Sequence, residues 1–340
     1  MKNRIATLLI SISLILLTGC SKQTRGETTE STIIQDAQTA IKNGQYTAAV
    51  QFLRPALAKE EAKLLPNDDQ RIGIHCQLGI ALRYLGKHKE ALHHFTRSLS
   101  ILKEGSAEDT PQIAATYVNM AAVHQSMNDN KEALNLYDKA LRIQQITLEA
   151  DDIALGTTYN NIGLAYLSMG KVAEATAYLE KGLAIRERRL PADDPKIAQS
   201  KLNMGNIQVH LGNHENALKL YQRAQHIWRA NEAVNTVEMA TVYNNMGIIQ
   251  RAMGALEQSR EQLETALAIK QNIFGQNHIE VAQTYTHLGI TYDAMGQYEK
   301  AWMYHNKSMP IHTVRLGADH PHTKAAKKLL DQAEQKRQRG

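Results

Sequence analysis

Small and apolar residues recur along this chain at a fixed spacing of 42 residues, from about residue 29 to residue 322. Two of the recurring columns lie seven residues apart and hold 11 of the 20 glycines. Two further columns consist of alanine and serine with one glycine, and a fifth column is entirely isoleucine. Small side chains at a fixed register are needed where two helices approach closely. The pattern therefore predicts one helical unit that is repeated seven times.

The second glycine column predicts a turn inside each unit. It contains only glycine and one asparagine, the residues that tolerate a left-handed backbone at the end of a helix. Its members are Gly44, Gly86, Asn128, Gly170, Gly212, Gly254 and Gly296. Apolar positions with helical spacing lie on both sides of this turn, and the isoleucine column extends the second stripe. Each unit is therefore predicted to be a hairpin of two helices, of which the second is long.

The two ends of the array depart from the pattern. Pro55 lies inside the second helix of the first unit, where we expect it to kink or shorten that helix. After the last unit, residues 323–340 have alanine and leucine on one side and lysine, arginine and glutamine elsewhere. Such a stripe is typical of a helix that covers the end of a repeat array. This segment is predicted to be a basic capping helix.

The spacing of these columns resembles the tetratricopeptide repeat, and the 42-residue period resembles its kinesin light chain subtype. The matching segments are Tyr159-Asn160-Asn161-Ile162-Gly163, Ala266-Leu267-Ala268-Ile269 and the connector Leu316-Gly317-Ala318-Asp319-His320-Pro321. The resemblance implies an all-α fold, a right-handed α-solenoid of about seven helical hairpins with a C-terminal capping helix. The solenoid is predicted over residues 33–322. Its repeats are expected near residues 29–70, 71–112, 113–154, 155–196, 197–238, 239–280 and 281–322.

The first twenty residues have the features of an export signal. Two basic residues, Lys2 and Arg4, precede an apolar run of 13 residues, which is too short to span a bilayer. The run ends in Leu17-Thr18-Gly19-Cys20, which resembles the lipobox of bacterial lipoproteins. That resemblance implies cleavage after residue 19 and a diacylglycerol on Cys20, and two acyl chains suffice for stable anchoring. An ordinary secretory signal is the alternative.

The lipobox determines where we expect the protein to be. Residues 20–32 comprise the lipidated cysteine and a polar segment, which is predicted to be a flexible tether. The protein is therefore expected in the cell envelope, held to the membrane by the lipid on Cys20. Ser21 after that cysteine resembles an outer-membrane sorting signal, which implies the periplasmic face of the outer membrane in a Gram-negative organism. Otherwise we expect the outer face of the cell membrane.

The charge of the chain does not indicate a nucleic-acid partner. With 39 basic and 34 acidic residues the formal net charge is +5. However, the predicted signal peptide contributes two positive charges and residues 323–340 contribute a net charge of +4. The body from Cys20 to His322 therefore has a net charge of −1, whereas proteins that bind nucleic acid present a basic face.

The sequence contains no recognisable catalytic motif. A nucleophile elbow, paired zinc-ligand histidines, a dinucleotide fingerprint and a phosphate-binding loop are all missing from it. Among 14 histidines, His93-His94 and the pair His320 and His322 are candidate metal ligands, but the first two diverge on a helix and His320 belongs to the connector. Cys76 is expected to be a packed small residue. We predict a protein that is not an enzyme and has no cofactor or metal.

A column of amide side chains is the candidate binding site. It consists of Gln35, Gln77, Asn119, Asn161, Asn203, Asn245 and His287. The resemblance places this column on the concave face, where the asparagines would bond the backbone of an extended peptide. Flanking groove positions by the same resemblance are Asn160 and Asn244, with Arg83, Arg251 and Asp293 one turn further along. Alternatively, the amides bond to one another or to neighbouring helices and only make the array rigid.

These observations together predict a membrane-anchored lipoprotein scaffold. It binds a protein or an extended peptide on the concave face of the solenoid and takes part in assembling an envelope complex. The alternative function is a sensory or regulatory module that binds a signalling peptide.

Overall fold

Fifteen α-helices make up the part of the chain that the computed structural model describes, namely residues 29–63, 68–105, 110–234 and 236–339, and no strand occurs in these ranges. The chain divides into two compact units, whose described parts are residues 29–189 and 190–339. The predicted signal peptide and Cys20 lie outside the described residues. The predicted all-α class and the helical hairpin as its repeated unit are confirmed.

The first compact unit contains four hairpins. Their helices are α1 (Thr29–Lys42), α2 (Tyr46–Glu61), α3 (Asp68–Tyr84), α4 (His88–Gly105), α5 (Pro111–Ser126), α6 (Asn130–Thr147), α7 (Ile153–Ser168) and α8 (Val172–Arg189). The predicted tether ends earlier than expected, because residues 29–32 already belong to α1. Ile33 and Ile34 follow in the same helix and pack against the core of the unit.

The second compact unit contains three hairpins and a last single helix. Its helices are α9 (Pro195–His210), α10 (His214–Ala230), α11 (Val237–Ala252), α12 (Leu256–Phe274), α13 (Ile279–Ala294), α14 (Tyr298–Leu316) and α15 (Pro321–Arg339). The single helix α15 begins two residues before the predicted capping segment. Likewise α5, α7, α9, α11 and α13 each begin two residues before the predicted repeat boundary. The first helices begin earlier because the connector residues just before them act as their N-caps.

In the described chain, the connector residues before α5, α7, α9, α11, α13 and α15 cap the helix that follows. Asp152 and Asp194 accept hydrogen bonds from the backbone N–H groups two residues later, at 2.7 Å in both cases. Thr110 and Thr236 accept from the third residue, and His278 and His320 accept through Nδ1. Each of these side chains satisfies a backbone donor that the helix leaves without an intrahelical partner. The connector motif is thus a helix start, and its histidines serve as caps.

The turn within each hairpin has the predicted left-handed residue. All seven members of the turn column have positive φ, from 61° at Asn128 to 82° at Gly254. In the fourth hairpin the N–H of Gly170 bonds the carbonyl of Leu167, and the N–H of Lys171 bonds that of Tyr166. These two bonds form a Schellman motif, which satisfies the last carbonyls of the first helix.

The remaining small columns lie in the contact between the two helices of each hairpin. The third column, from Ala49 to Ala301, is completely buried in all seven hairpins. A Cβ atom on Gly205 of the first column would come within 2.4 Å of the Tyr221 ring. These columns are therefore packing positions. The isoleucine column is also buried, with at most 9 % exposure, and it extends the contact along the long second helix.

Proline does not interrupt the second helix of the first hairpin. Any shortening is slight, because α2 has 16 residues and the other second helices have 17 to 19, and α14, which also contains a proline, has 19. The helix continues through Pro55 to Glu61, and α14 likewise continues through Pro310. Packing of Leu53, Ala56 and Leu57 against the core holds α2 in place on both sides of the proline.

Candidate functional site

The predicted amide column lies on the first helices, as expected, but it is buried. Five of its seven members have at most 7 % exposure; they are Gln77, Asn119, Asn161, Asn203 and Asn245. The flanking Asn160 is only 1 % exposed, whereas Asn244 and His287 are partly buried and Gln35 is exposed. Most of the predicted groove amides therefore offer little surface to a ligand, because the neighbouring helices cover them.

Several of these amides bond to groups within their own unit. Asn245 donates through Nδ2 to Oδ1 of Asn206 at 3.1 Å, and the same oxygen accepts from the Tyr221 hydroxyl at 2.6 Å. Gln199 donates through Nε2 to Oδ1 of Asn203 at 3.3 Å. Bonds of this kind satisfy buried polar groups and hold the helices together. In the second unit the geometry favours the structural alternative for Asn203 and Asn245.

The predicted site residues of the first compact unit have different hydrogen bonding from those of the second unit. Oε1 of Gln77 and Nδ2 of Asn161 are buried and have no hydrogen-bond partner within the described chain. Arg83 is 7 % exposed, and its guanidinium lies over the ring of Tyr84, with 4.2 Å from Cζ to the ring centroid. Such a contact is a cation–π interaction. The guanidinium of Arg83 therefore stacks on an aromatic ring and does not face an open groove.

A cavity of about 300 Å³ lies within the second unit, among the first helices α11 and α13 and the capping helix α15. It brings together four predicted site residues, namely Asn244, Asn245, Arg251 and His287. Part of its wall is apolar and consists of Val209, Ile248, Ile249, Ile290, Ala325, Ala326 and Leu329. Its polar lining includes Thr241, Lys270, Glu280, Gln283, Thr286, His312 and His322. A concave surface with an apolar wall and a few convergent polar groups is the usual form of a ligand site.

Two cations in the cavity lining have different surroundings. Lys270 forms an ion pair with Glu280, at 3.1 Å from Nζ to Oε2. Burial lowers the pKa of Lys270, and Glu280 opposes this shift. Arg251 donates through Nη1 to the carbonyl of His287 at 3.3 Å and to the hydroxyl of Thr291 at 3.4 Å. Burial lowers the pKa of Arg251 as well.

The histidines of the cavity are held neutral. Burial lowers the pKa of His287 to about 3, with smaller contributions from the charges of Arg251 and Lys270. Burial also lowers the pKa of His312 to about 4, and His322 and His320 add to this effect. Near neutral pH these rings therefore contribute hydrogen-bonding nitrogens and no charge.

The sequence alone did not indicate Lys270, Glu280 or His312 as site residues, and it indicated His322 only as a candidate metal ligand. Lys270 and His312 lie on second helices, and Glu280 and His322 lie in the first turns after the caps. Lys270 and His312 share one register of the repeat, and Glu280 and His322 share another, but the residue type varies along both columns. The sequence signal for the cavity was the coincidence of four predicted groove positions near the end of the array, namely Asn244, Asn245, Arg251 and His287.

A model of the tetratricopeptide repeat matches the chain over residues 35–104, 112–188, 196–271 and 238–313. These segments cover more than half of the sequence. The chain is a tetratricopeptide repeat protein. A comparison with the curated proteins found no significant match.

Solved structures of other tetratricopeptide repeat proteins share this fold. BtubC (BKLC) from P. vanneervenii is 24% identical, and the alignment covers 69% of this chain and 94% of that chain with a TM-score of 0.57. A Rap protein complexed with Competence and Sporulation Factor is 14% identical, with 90% and 87% covered and a TM-score of 0.62. The apo form of the quorum sensor NprR from B. thuringiensis is 15% identical, with 83% and 87% covered and a TM-score of 0.58.

In this tetratricopeptide repeat protein, His94 and His320 of the candidate metal ligands and the thiol of Cys76 form hydrogen bonds within the fold. Nδ1 of His94 and Nδ1 of His75 share a hydrogen bond of 2.9 Å, and His320 caps α15. No group of three or more metal-ligating side chains occurs among the described residues. Cys76 is fully buried, with its sulfur 3.2 Å from the Ser98 hydroxyl. No helix in the described ranges combines the length and apolarity that crossing a bilayer requires.

Proposed function

We propose that this tetratricopeptide repeat protein is a lipid-anchored scaffold that binds a protein or an extended peptide in the cell envelope. The cavity among α11, α13 and α15 carries the proposal. Its lining combines an apolar wall with polar groups on consecutive first helices that have hydrogen-bonding capacity left for a ligand. Tetratricopeptide repeats are protein-interaction modules, and a repeat array presents such surfaces along successive hairpins.

The second candidate function is a sensory module that binds a signalling peptide. It is favoured by the likeness to the Rap protein that was solved with Competence and Sporulation Factor and to the quorum sensor NprR. At 14% and 15% identity this likeness shows the shared fold, and the binding of a signalling peptide by this chain is part of the proposal. The lipobox at Leu17-Thr18-Gly19-Cys20 favours the envelope scaffold over a cytoplasmic sensor.

Photocrosslinking in cells tests the binding proposal. Ile248 lines the cavity from α11, whereas Val314 lies on α14 and is 82 % exposed away from the lining. With a benzoylphenylalanine at position 248, we expect ultraviolet light to give a discrete adduct with an envelope protein. The same group at position 314 is the control and is expected to give none. A short peptide as the adduct supports the sensory module instead, and the absence of an adduct at position 248 contradicts both functions.

Membrane anchoring is tested separately through Cys20. We expect Cys20→Ser to release the protein from the membrane fraction, because the thioether lipid cannot form on serine. Cys76→Ser is the matched control, since Cys76 is buried in the repeat body, and its product should stay with the membrane. If the Cys20→Ser protein remains in the membrane fraction, the lipoprotein proposal is wrong. Fractionation of the envelope also tests whether the anchored protein lies in the outer membrane or on the cell membrane.

A further inference from the structure

The outer face of α15 carries three lysines within two helical turns. Lys324, Lys327 and Lys328 are exposed, whereas Ala326 and Ala333 are buried on the opposite side of the helix. We call the three residues the lysine cluster. They supply half of the six basic residues that give residues 323–340 their net charge of +4.

Little negative charge balances the lysine cluster. The ion pairs of α15 involve other basic residues and Lys324, so no described carboxylate pairs with Lys327 or Lys328. Lys324 bonds Asp319 at 3.1 Å from Nζ to Oδ1, but the Asp319 side chain is fully exposed. Water and salt screen such a pair, so it contributes little. The outer face of α15 is therefore positively charged.

Helix stability does not explain where these lysines stand. Lys327 and Lys328 lie three and four residues after Lys324, and like charges at these spacings destabilise a helix. In addition, α15 has no acidic residue in its first turn, whereas α4, α6, α8, α10, α12 and α14 each have a glutamate there. Positive charge near a helix N-terminus opposes the helix dipole. Glutamine at the three positions would keep the face polar without these costs.

Other cations attach α15 to the last hairpin. Lys336 donates to both carboxylate oxygens of Asp293, at 2.6 and 2.7 Å. The guanidinium of Arg337 lies over the ring of Trp302, with 4.1 Å from Cζ to the ring centroid, and it pairs with Glu299 at 3.4 Å. The lysine cluster makes no such contact with α14, so it is not needed to hold the helix in place.

The repeat shows what covers this face in other hairpins. One repeat before Lys324 and Lys327 stand Ala282 and Tyr285, which are buried. The carbonyl of Ala282 accepts a hydrogen bond from Ser308 of α14, and the ring of Tyr285 contacts that of Tyr304 on the same helix. No second helix covers α15 in the described chain. The lysine cluster thus occupies a face that elsewhere in the array is a contact surface.

The composition of this face favours lipid headgroups over a folded acidic partner. Lysine ammonium groups are compact, strongly hydrated charges that attract phosphate groups without a fixed geometry. Protein interfaces use aromatic anchors, but α15 contains no Phe, Tyr or Trp, and its two leucines are half-buried. Each lysine near an anionic lipid surface strengthens binding by about five-fold.

We propose that the lysine cluster of α15 binds the headgroups of anionic phospholipids, as a second membrane contact besides the lipid on Cys20. The inference rests on the proposed function, because anchoring holds the protein at a membrane where the local concentration of headgroups is high. Three charges are sufficient under this condition, since the contact does not have to recruit the protein from solution.

Energy transfer to the membrane tests this contact in the lipidated full chain. Gln335→Cys places a donor dye on the exposed side of α15, and the other described cysteine, Cys76, is buried. The acceptor is a rhodamine lipid in vesicles of phosphatidylcholine with or without phosphatidylglycerol. We expect transfer to rise when phosphatidylglycerol is present and to return to the phosphatidylcholine value in high salt. Equal transfer in both vesicles overturns the inference and is the result that an acidic protein partner predicts.

Substitution of the cluster shows whether these lysines cause the response. The variant combines Lys324→Gln, Lys327→Gln and Lys328→Gln, and we expect it to give the same transfer in both vesicles. Its melting temperature should stay the same or rise, because the like charges are removed. The control removes the same charge from exposed positions of the first compact unit and should keep the response; it combines Lys89→Gln, Lys131→Gln and Lys139→Gln. A response that persists in the cluster variant contradicts the inference.

This inference and the proposed function fail in different ways. A photocrosslink at position 248 together with no response to phosphatidylglycerol removes only the inference. If the protein carries no lipid on Cys20, the proposed anchoring fails, and sedimentation of the unlipidated protein with the same vesicles decides the inference. Binding that requires phosphatidylglycerol and weakens about ten-fold or more in the cluster variant supports it, whereas equal sedimentation with both vesicles overturns it.

Discussion

A glycine or alanine at one position of each first helix determines how closely the two helices of a hairpin approach. A Cβ atom would lie 2.4 Å from the Tyr221 ring at Gly205 and 2.6 Å from Leu179 Cγ at Gly163. The first and third hairpins have Ala37 and Ala121 at this register, both fully buried. The close contact is thus specific to each hairpin, because the large side chain opposite the small residue differs in size and direction.

Substitution of Gly205 by alanine tests this close contact. Tyr221 is fully buried and its hydroxyl bonds Asn206, so the ring cannot move away without loss of that bond. We expect Gly205→Ala to lower the free energy of unfolding by about 1–3 kcal/mol, measured by denaturant titration. Gly105→Ala is the control, because no atom lies within 4 Å of its Cβ position. Equal stability of the two variants would show that the contact has room to relax.

The amide column shows which part of the site could be predicted from the sequence. Its register correctly placed the asparagines together on the first helices. Their burial could not be predicted, because a side chain at the edge of the packed face is covered or exposed according to how neighbouring helices stack. The sequence pattern did not indicate Asn206 either, although this residue bonds Asn245 and Tyr221. The first repeat has Gln38 at that register, and the other repeats have alanine, leucine or isoleucine.

At the scale of helices, the capping and turn residues could be predicted because they act locally. Gly170 ends one helix by its backbone conformation, and Asp194 starts another through a hydrogen bond to a residue two positions away. The effect of Pro55 was predicted only in part. Proline removes one backbone hydrogen bond, but whether the helix stops there depends on tertiary packing, which holds α2 on both sides of it.

Replacement of Pro55 tests how much this helix is weakened. Pro55→Ala restores the backbone N–H and its bond to the carbonyl four residues earlier. We expect the free energy of unfolding of the first compact unit to rise, by up to about 3 kcal/mol, as measured by hydrogen exchange of α2. Pro310→Ala in α14 is the matched change in the second unit and should leave exchange in α2 unaltered. Unchanged exchange in α2 of Pro55→Ala would mean that the helix is already relaxed around the proline.

At the scale of the whole molecule, buried histidines couple stability to pH. Burial lowers the pKa of His75, His94, His305 and His312 to about 4 and that of His287 to about 3. Because the folded pKa values lie below the unfolded value near 6.5, the unfolded chain binds more protons in acid. The contribution of these groups is therefore fully present above about pH 6.5 and is lost as the pH falls toward 4. We expect the melting temperature to fall over this range.

His305→Leu tests the pH dependence at one position. His305 stands where the other second helices have Leu53, Phe95, Tyr137, Leu179, Tyr221 and Leu263. We expect the substitution to stabilise the protein by about 2 kcal/mol more at pH 5 than at pH 7.5, because the leucine binds no proton. His226→Leu, at an exposed position of α10, is the control and should change stability equally at both pH values. An equal effect of His305→Leu at both pH values contradicts the assignment.

The cavity is the feature that the sequence predicted least. The 42-residue period shows that the repeats are alike, but the cavity exists where they differ, at the last hairpin and α15. Leu329 of α15 stands at the register of His287, and Asp331 stands in the first glycine column. These substitutions end the array and give the cavity its last wall, so only the packed structure shows which side chains meet there.

The affinity of the photocrosslinked partner for cavity variants tests the central claim most directly. Ile290→Trp fills the cavity without a change of charge, and Val314→Trp places the same side chain on an exposed part of α14. We predict that Ile290→Trp weakens binding about ten-fold or more by isothermal titration calorimetry and that Val314→Trp leaves the Kd unchanged. Equal affinities of both variants and the unsubstituted protein would contradict the claim that the partner binds in this cavity.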